Sequence, residues 1–234
     1  FHAKGKKVIM IINSGGYIEM ASWQDKVDAV VMGWMPGQEG GNTIASVLCG
    51  EVNPSGHLPS TISISYEMEP SAKNFPQVFA DKPFNYSYYR QIKSKKLPLN
   101  TVKNIDYTRY EEGIYVGYRY FNTFKKEAVA FPFGHGLSYT DFKFDKMQVE
   151  EAENGWNVSV KVTNTGKVAG KDVVQIYVKA PRKGLDKPER ELKGFAKTPL
   201  LAPGETCDVK IFISKDSLAS YDESVGSWVT AEGR

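Results

Sequence analysis

The sequence predicts two structural classes in succession: a partial parallel α/β unit, then an antiparallel all-β sandwich. Three observations carry this. Residues 8–12 (VIMII) and 28–34 (DAVVMGW) are short apolar runs bounded by turn residues, as in strands buried on both faces. Apolar residues Ile44, Ala45, Val47 and Leu48 recur at helical spacing after the second run. From about Thr140 onward, alternating segments recur between turn signals, at 142–144, 156–162, 173–178, 209–213 and 228–230.

Taken in order, the first strand is expected at 8–12, with residues 13–16 (NSGG) as the loop at its C-terminal end. A short helix is plausible from about Glu19 to Trp23. The second strand spans 28–34. Pro36-Gly37 makes a tight turn, and Asn42 is placed to cap a helix over 43–48 that ends at Gly50. A second turn, Asn53-Pro54-Ser55-Gly56, leads through Leu58-Pro59 into extended chain. Strand, helix, strand, helix is the order of a parallel α/β unit. Two strands are too few for a complete doubly wound sheet, so further strands are expected before Phe1.

From 61 to 107 the pattern weakens. Four prolines, the aromatic cluster at 84–89 (FNYSYY) and the basic stretch 93–96 suit a surface excursion or an aromatic lip over a sugar pocket. Residues 110–120 alternate and read as a strand or extended linker. Beyond 140, helical signal is nearly absent apart from a turn at 216–220. The expected divisions are 1–66, 67–139 and 140–234.

The totals exclude several classes. A chain of 234 residues holds one large or two modest domains. Its 41% hydrophobic and 24% charged content are those of a soluble globular protein. With 30 basic and 27 acidic residues, the net charge of +3 argues against nucleic acid or an acidic membrane surface as partner. No apolar run approaches the roughly 20 residues that span a bilayer. Cys49 and Cys207 are too few for a disulfide framework and read as separate free thiols. The chain opens at Phe1 without an initiator Met or signal peptide, and is expected to be cut from something longer.

Three motifs, in order, resemble the C-terminal region of glycoside hydrolase family 3. They are WMPGQEGG (34–41) with GEVNPSGHLP (50–59), YEEGIYVGYRYFNTF (110–124), and FPFGHGLSYT (131–140). The resemblance implies the second part of an α/β-sandwich domain followed by a fibronectin-III-like domain, incomplete at its C-terminus. It implies a retaining, exo-acting β-glucosidase or β-xylosidase without a metal or other cofactor. The substrate would be an oligosaccharide or glycoside, and the partner an N-terminal (β/α)₈ barrel domain or chain. In the family the nucleophilic Asp comes from that barrel and the acid/base Glu from a loop upstream of the strand matching 8–12. No catalytic residue is therefore expected within this chain, and the chain alone is expected to be inactive. The rival reading is a non-catalytic carbohydrate-binding or scaffolding module. Relatives are often periplasmic or secreted. A cytoplasmic location and a homo-oligomer both stay open.

Ligands of open α/β sheets sit beyond the carboxyl ends of the strands, which singles out the loops at 13–16 and 35–41. Within them, Trp34 could stack on a sugar ring or belong to the core. Glu39 could meet substrate or sit ahead of the helix, accepting backbone N–H bonds. Glu111 and Glu112 are adjacent, so in an extended segment they diverge and make no carboxylate pair. Arg119 reads as an anchor between domains. His2, His57 and His135 are scattered and lack zinc spacing. Ser14, Ser55 and Ser138 follow no nucleophile-elbow pattern. Asn85 and Asn157 head glycosylation sequons, which arise often by chance.

Overall fold

In a computed structural model of the chain, residues 4–72, 78–79, 102–103, 110–182 and 184–230 are described. The aromatic cluster at 84–89, the basic stretch at 93–96, His2 and the Asn85 sequon lie outside them. The first strand, β1 (Ile9–Ile12), pairs in parallel with β2 (Ala29–Met32), Ile9 opposite Ala29 and Ile12 opposite Met32. The connection between them is tighter than expected. A turn over 21–23 and a 3₁₀ turn at Gln24–Lys26 stand where a helix at 19–23 was expected. Glu19 caps this turn, its carboxylate accepting from the Ser22 N–H and hydroxyl.

Within this chain the two strands are only partly covered. Ile12 is buried, but Ile9, Met10 and Ile11 are exposed by 49, 39 and 39%. The physical reason is local. Among the described residues only β1 and β2 share this sheet, and the cluster of Ile12, Met20 and Ile62 covers only part of it.

Helix α1 (Gly40–Leu48) starts three residues earlier than the apolar spacing suggests. Glycine's low helix propensity hides this first turn. Gly40 is needed there, because a Cβ would lie 2.6 Å from Pro36 Cγ. Asn42 is consequently inside the helix and is not its cap. Gly50, with φ 77°, ends the helix as expected.

Two short antiparallel pairs follow. Strand β3 (Ile62–Ser63) reaches forward across the excursion, while β4 (Val78–Phe79) pairs with β5 (Val102–Lys103). The segment at 110–120 is neither strand nor linker. It turns at 111–114 and enters helix α2 (Tyr118–Phe124). Gly113 and Gly117, at φ 55° and 56°, break the apparent alternation, and Phe121 is fully buried on the helix. Strand β6 (Val129–Phe131) then pairs antiparallel with β3.

The remaining chain forms the sandwich. Strands β7 (Phe142–Ala152), β8 (Gly155–Asn164) and β11 (Thr206–Ser214) make one antiparallel sheet in the order β11-β8-β7. Strands β9 (Val173–Val178) and β10 (Glu191–Lys197) make the other. A hairpin of β12 (Ser220–Asp222) and β13 (Ser227–Val229) ends the described chain. The period of two decides the core: Val158, Val160 and Val162 face inward beside Val209, Ile211 and Ile213, with Val174 and Leu201 completing the cluster. The register Val209 opposite Val160 and Ile211 opposite Val158 keeps both rows on one face. Strand β10 escapes sequence reading because ELKGFAK lacks clean alternation. A bulge between Leu192 and Gly194 shifts its register, and Gly194 passes so close to the other sheet that a Cβ would meet Ile211 Cγ2 at 2.5 Å.

Asn53 joins the two halves. Its Oδ1 accepts from Ser138 Oγ (2.9 Å) and the Tyr139 N–H (2.8 Å), and its Nδ2 donates to the Ala169 carbonyl (3.0 Å). Replacing Asn53 by Ala is expected to destabilise the chain by about 1–3 kcal/mol, through the polar groups left unpaired. Asn53→Asp should cost as much or more, since a carboxylate cannot donate to Ala169. Urea unfolding of both variants checks this.

Candidate functional site

Because β1 and β2 are parallel, the loops at 13–16 and 34–39 leave the same end of the sheet. The Gly33 N–H bonds to the Ile12 carbonyl at 2.8 Å, extending the ladder one step beyond β2. There the chain turns out. Trp34 holds φ 52°, a left-handed conformation uncommon for a bulky side chain and costing about 1–3 kcal/mol. The loops then touch: a Cβ at Gly15 would lie 3.3 Å from Met35 Sδ. Gly37, at φ 72°, completes the turn into α1.

The structure brings both sequence-derived candidates, Trp34 and Glu39, to this loop. Trp34 is half-buried and lies outside both core clusters of described residues. Glu39 stands immediately ahead of α1, but its side chain makes no bond to a backbone N–H. Its Oε2 instead accepts from Asn42 Nδ2 at 2.8 Å, and its main-chain carbonyl accepts from the N–H and hydroxyl of Thr43. The carboxylate is exposed and has a free oxygen toward solvent among the described contacts. Below the loops, Tyr17 donates to Glu69 Oε1 at 2.7 Å, tying the end of the first loop to the start of the excursion. Burial, then this bond, push the Tyr17 phenol well above its ordinary range.

The other candidates are dispersed. Arg119 anchors the halves as expected, its Nε 3.1 Å from Glu191 Oε1. Helix α2 adds two bonds to the sandwich: Tyr118 OH accepts from the Leu192 N–H, and Thr123 Oγ1 accepts from the Glu189 N–H. Cys49 and Cys207 are free thiols, Cys49 exposed. Ser138 serves Asn53, and Ser55 accepts from Lys197 Nζ at 2.9 Å. Two histidines come together at the seam. His57 Nε2 lies 3.0 Å from Asp172 Oδ1, and His135 is close enough to feel the charge of His57. Sequence reading missed this meeting. Asp172 carried no motif, and the only signal for His57 was its place in the NPSGHLP turn. No described helix is long and apolar enough to cross a membrane.

Fold and loops together define an α/β unit with its ligand-type loops at the strand ends, pinned to a β-sandwich. Comparison with known proteins places this pairing. The family model for the glycosyl hydrolase family 3 C-terminal domain matches residues 1–139, and that for a fibronectin type III-like domain matches residues 172–234. The chain belongs to glycosyl hydrolase family 3. Among its relatives, thermostable β-glucosidase B of Acetivibrio thermocellus is 38% identical over 97% of this chain. A β-glucosidase of Ruminococcus albus is 39% identical over 93%. The chain spans only 27% and 20% of their respective lengths. Among solved structures, β-glucosidase 3B of Thermotoga neapolitana in complex with glucose superposes with a TM-score of 0.82. It is 40% identical and matched over all of this chain and 29% of its own. The Kluyveromyces marxianus β-glucosidase in complex with glucose gives 0.77 at 33% identity, over 94% of this chain and 23% of its own.

One pH dependence follows from the seam. Burial, then the charge of His57, hold the His135 imidazole below its ordinary value of 6.5. The unfolded chain therefore takes up this proton at higher pH than the folded one. The resulting stability is complete above about pH 7 and is lost as pH falls through 6.5 toward the folded value. Urea unfolding from pH 8 to 5 should show His135→Asn gaining on the wild type as the solution is acidified.

Proposed function

We propose that this chain is the C-terminal part of a retaining, exo-acting β-glycosidase that removes terminal β-linked glucose or xylose. The observation that carries the reading is the match of nearly the whole chain to named β-glucosidases. Residues 1–66 are the second part of the α/β-sandwich domain, 67–139 the connection, and 140–234 the fibronectin-III-like domain.

Retention needs a nucleophilic carboxylate and an acid/base carboxyl about 5–5.5 Å apart. In this reading both come from outside the chain, the nucleophile from a (β/α)₈ barrel. The work of the present residues is to bind and orient. Trp34 offers a ring face to the apolar side of a pyranose, and its strained backbone is held by the Gly33 bond on one side and the Pro36-Gly37 turn on the other. Glu39, fixed by Asn42, accepts a sugar hydroxyl. Neither group moves a proton in the reaction.

The test uses the barrel-containing enzyme and aryl β-glucosides. Trp34→Ala should raise KM about tenfold with a smaller change in kcat, and Trp34→Phe should recover most of the loss. Glu39→Gln should lower kcat/KM by less than about tenfold. A fall of 10²–10⁴, the contribution of general acid–base catalysis, would make Glu39 the acid instead. The 234-residue chain by itself should give no turnover. Hydrolysis by the isolated chain would overturn the assignment of both carboxyl groups elsewhere.

A further inference from the structure

The turn after α1 meets the sandwich at a charged contact. His57 Nε2 lies 3.0 Å from Asp172 Oδ1, and the two side chains are only 18% and 21% exposed. Asp172 is held rigidly. Its Oδ1 also accepts from the Val173 N–H (2.7 Å), its own N–H bonds to Thr198 Oγ1 (3.0 Å), and its carbonyl accepts from the Thr198 N–H (2.9 Å). The His57 ring is held as well. Gly136 packs against it, a Cβ there reaching Cδ2 at 3.1 Å, while Nδ1 is buried without a hydrogen-bond partner among the described residues.

Three ionisable groups face His57. Asp172 comes from the sandwich, just ahead of β9. His135 comes from the connecting loop. Lys197, from β10, lines the same cleft of about 330 Å³ and is turned to Ser55. Only the carboxylate attracts a charged imidazole. Imidazole is also the side chain whose ordinary titration falls between pH 5 and 8.

We infer that His57 and Asp172 form a proton-gated clamp between the 53–58 turn and the sandwich. A proton on His57 would put a full positive charge 3.0 Å from Asp172 Oδ1, making the contact an ion pair and tightening the seam; its loss would loosen the seam. His135 bounds the device on the acid side. A second proton there places two like charges together and opposes the first. The clamp also has a route to the loops at the strand ends. The C-terminus of α1 is tied to the seam by Tyr139 OH, which donates to the Val47 carbonyl at 2.7 Å. Its N-terminus follows directly on Trp34–Glu39, roughly 13 Å away along nine residues of helix. This inference rests on the seam alone and stands or falls independently of the sugar-binding role of Trp34.

Amide hydrogen exchange on the barrel-containing enzyme tests it. The reporters are the Leu58 N–H, bonded to the His135 carbonyl, and the Gly134 N–H, bonded to the Leu58 carbonyl, each at 2.8 Å. Protection factors, corrected for intrinsic exchange, are compared at pH 6 and pH 8. Wild type should be protected about two- to fivefold more at pH 6, the range of a partly exposed ion pair. Asp172→Asn and His57→Gln should show equal protection at both pH values, while the Val160 amide in the sandwich core stays unchanged throughout. Equal protection in the wild type at both pH values would overturn the clamp and needs no variant. So would an undiminished pH effect in Asp172→Asn.

Discussion

The architecture depends on one side-chain amide. Asn53 accepts from the connecting loop and donates to the sandwich at the same time, so the turn after α1 cannot shift without breaking bonds on both sides. Its surroundings exclude other solutions. A Cβ at Gly170 would come within 2.7 Å of Asn53 Nδ2, and one at Gly136 within 2.3 Å of the Gly56 carbonyl. Two glycines thus make room for the backbone to approach the turn. The peripheral contacts, Arg119 with Glu191 and Lys197 with Ser55, are more exposed and contribute less.

The loop bearing Trp34 and Glu39 is built in the opposite spirit. A left-handed tryptophan is a stored cost, and nothing in the core clusters requires that ring. Around it the loop is overdetermined by Gly33 on the ladder, Gly37 in the turn and Gly40 against Pro36. A segment held at so many points has little conformational freedom left to lose, which lowers the ordering cost of any contact it makes.

Much of this was legible in the residues. The inward valines of β8 announce themselves by strict alternation, because each sheet face repeats every second residue. The parallel pair is legible as two apolar runs separated by turn chemistry. Several misses turn on glycine, in different ways. Gly40, tight against Pro36, and Gly41 weaken the helical signal of the first turn of α1, Gly117 takes φ 56° at the start of α2, and Gly194 lies in a strand that passes too near its neighbour for any side chain. The meeting of His57 with Asp172 spans 115 positions and has no local pattern at all. Trp34 and Glu39 are singled out only by the loop they occupy. The strain at Trp34 was invisible until its backbone angle was known.

The exposed strand β1 has a consequence for the behaviour of the chain in concentrated solution. Among the described residues of this chain, Ile9, Met10 and Ile11 are exposed and β1 pairs with β2 alone. An uncharged, proline-free stretch such as VIMII is the type of segment that templates intermolecular sheets. Lys4, Lys6 and Lys7 lie immediately before it, and Lys7 is fastened to Asp28 at 2.7 Å on the neighbouring strand. In the chain taken by itself, stacking a second copy in register would bring these ammonium groups together, so the lysines oppose that association.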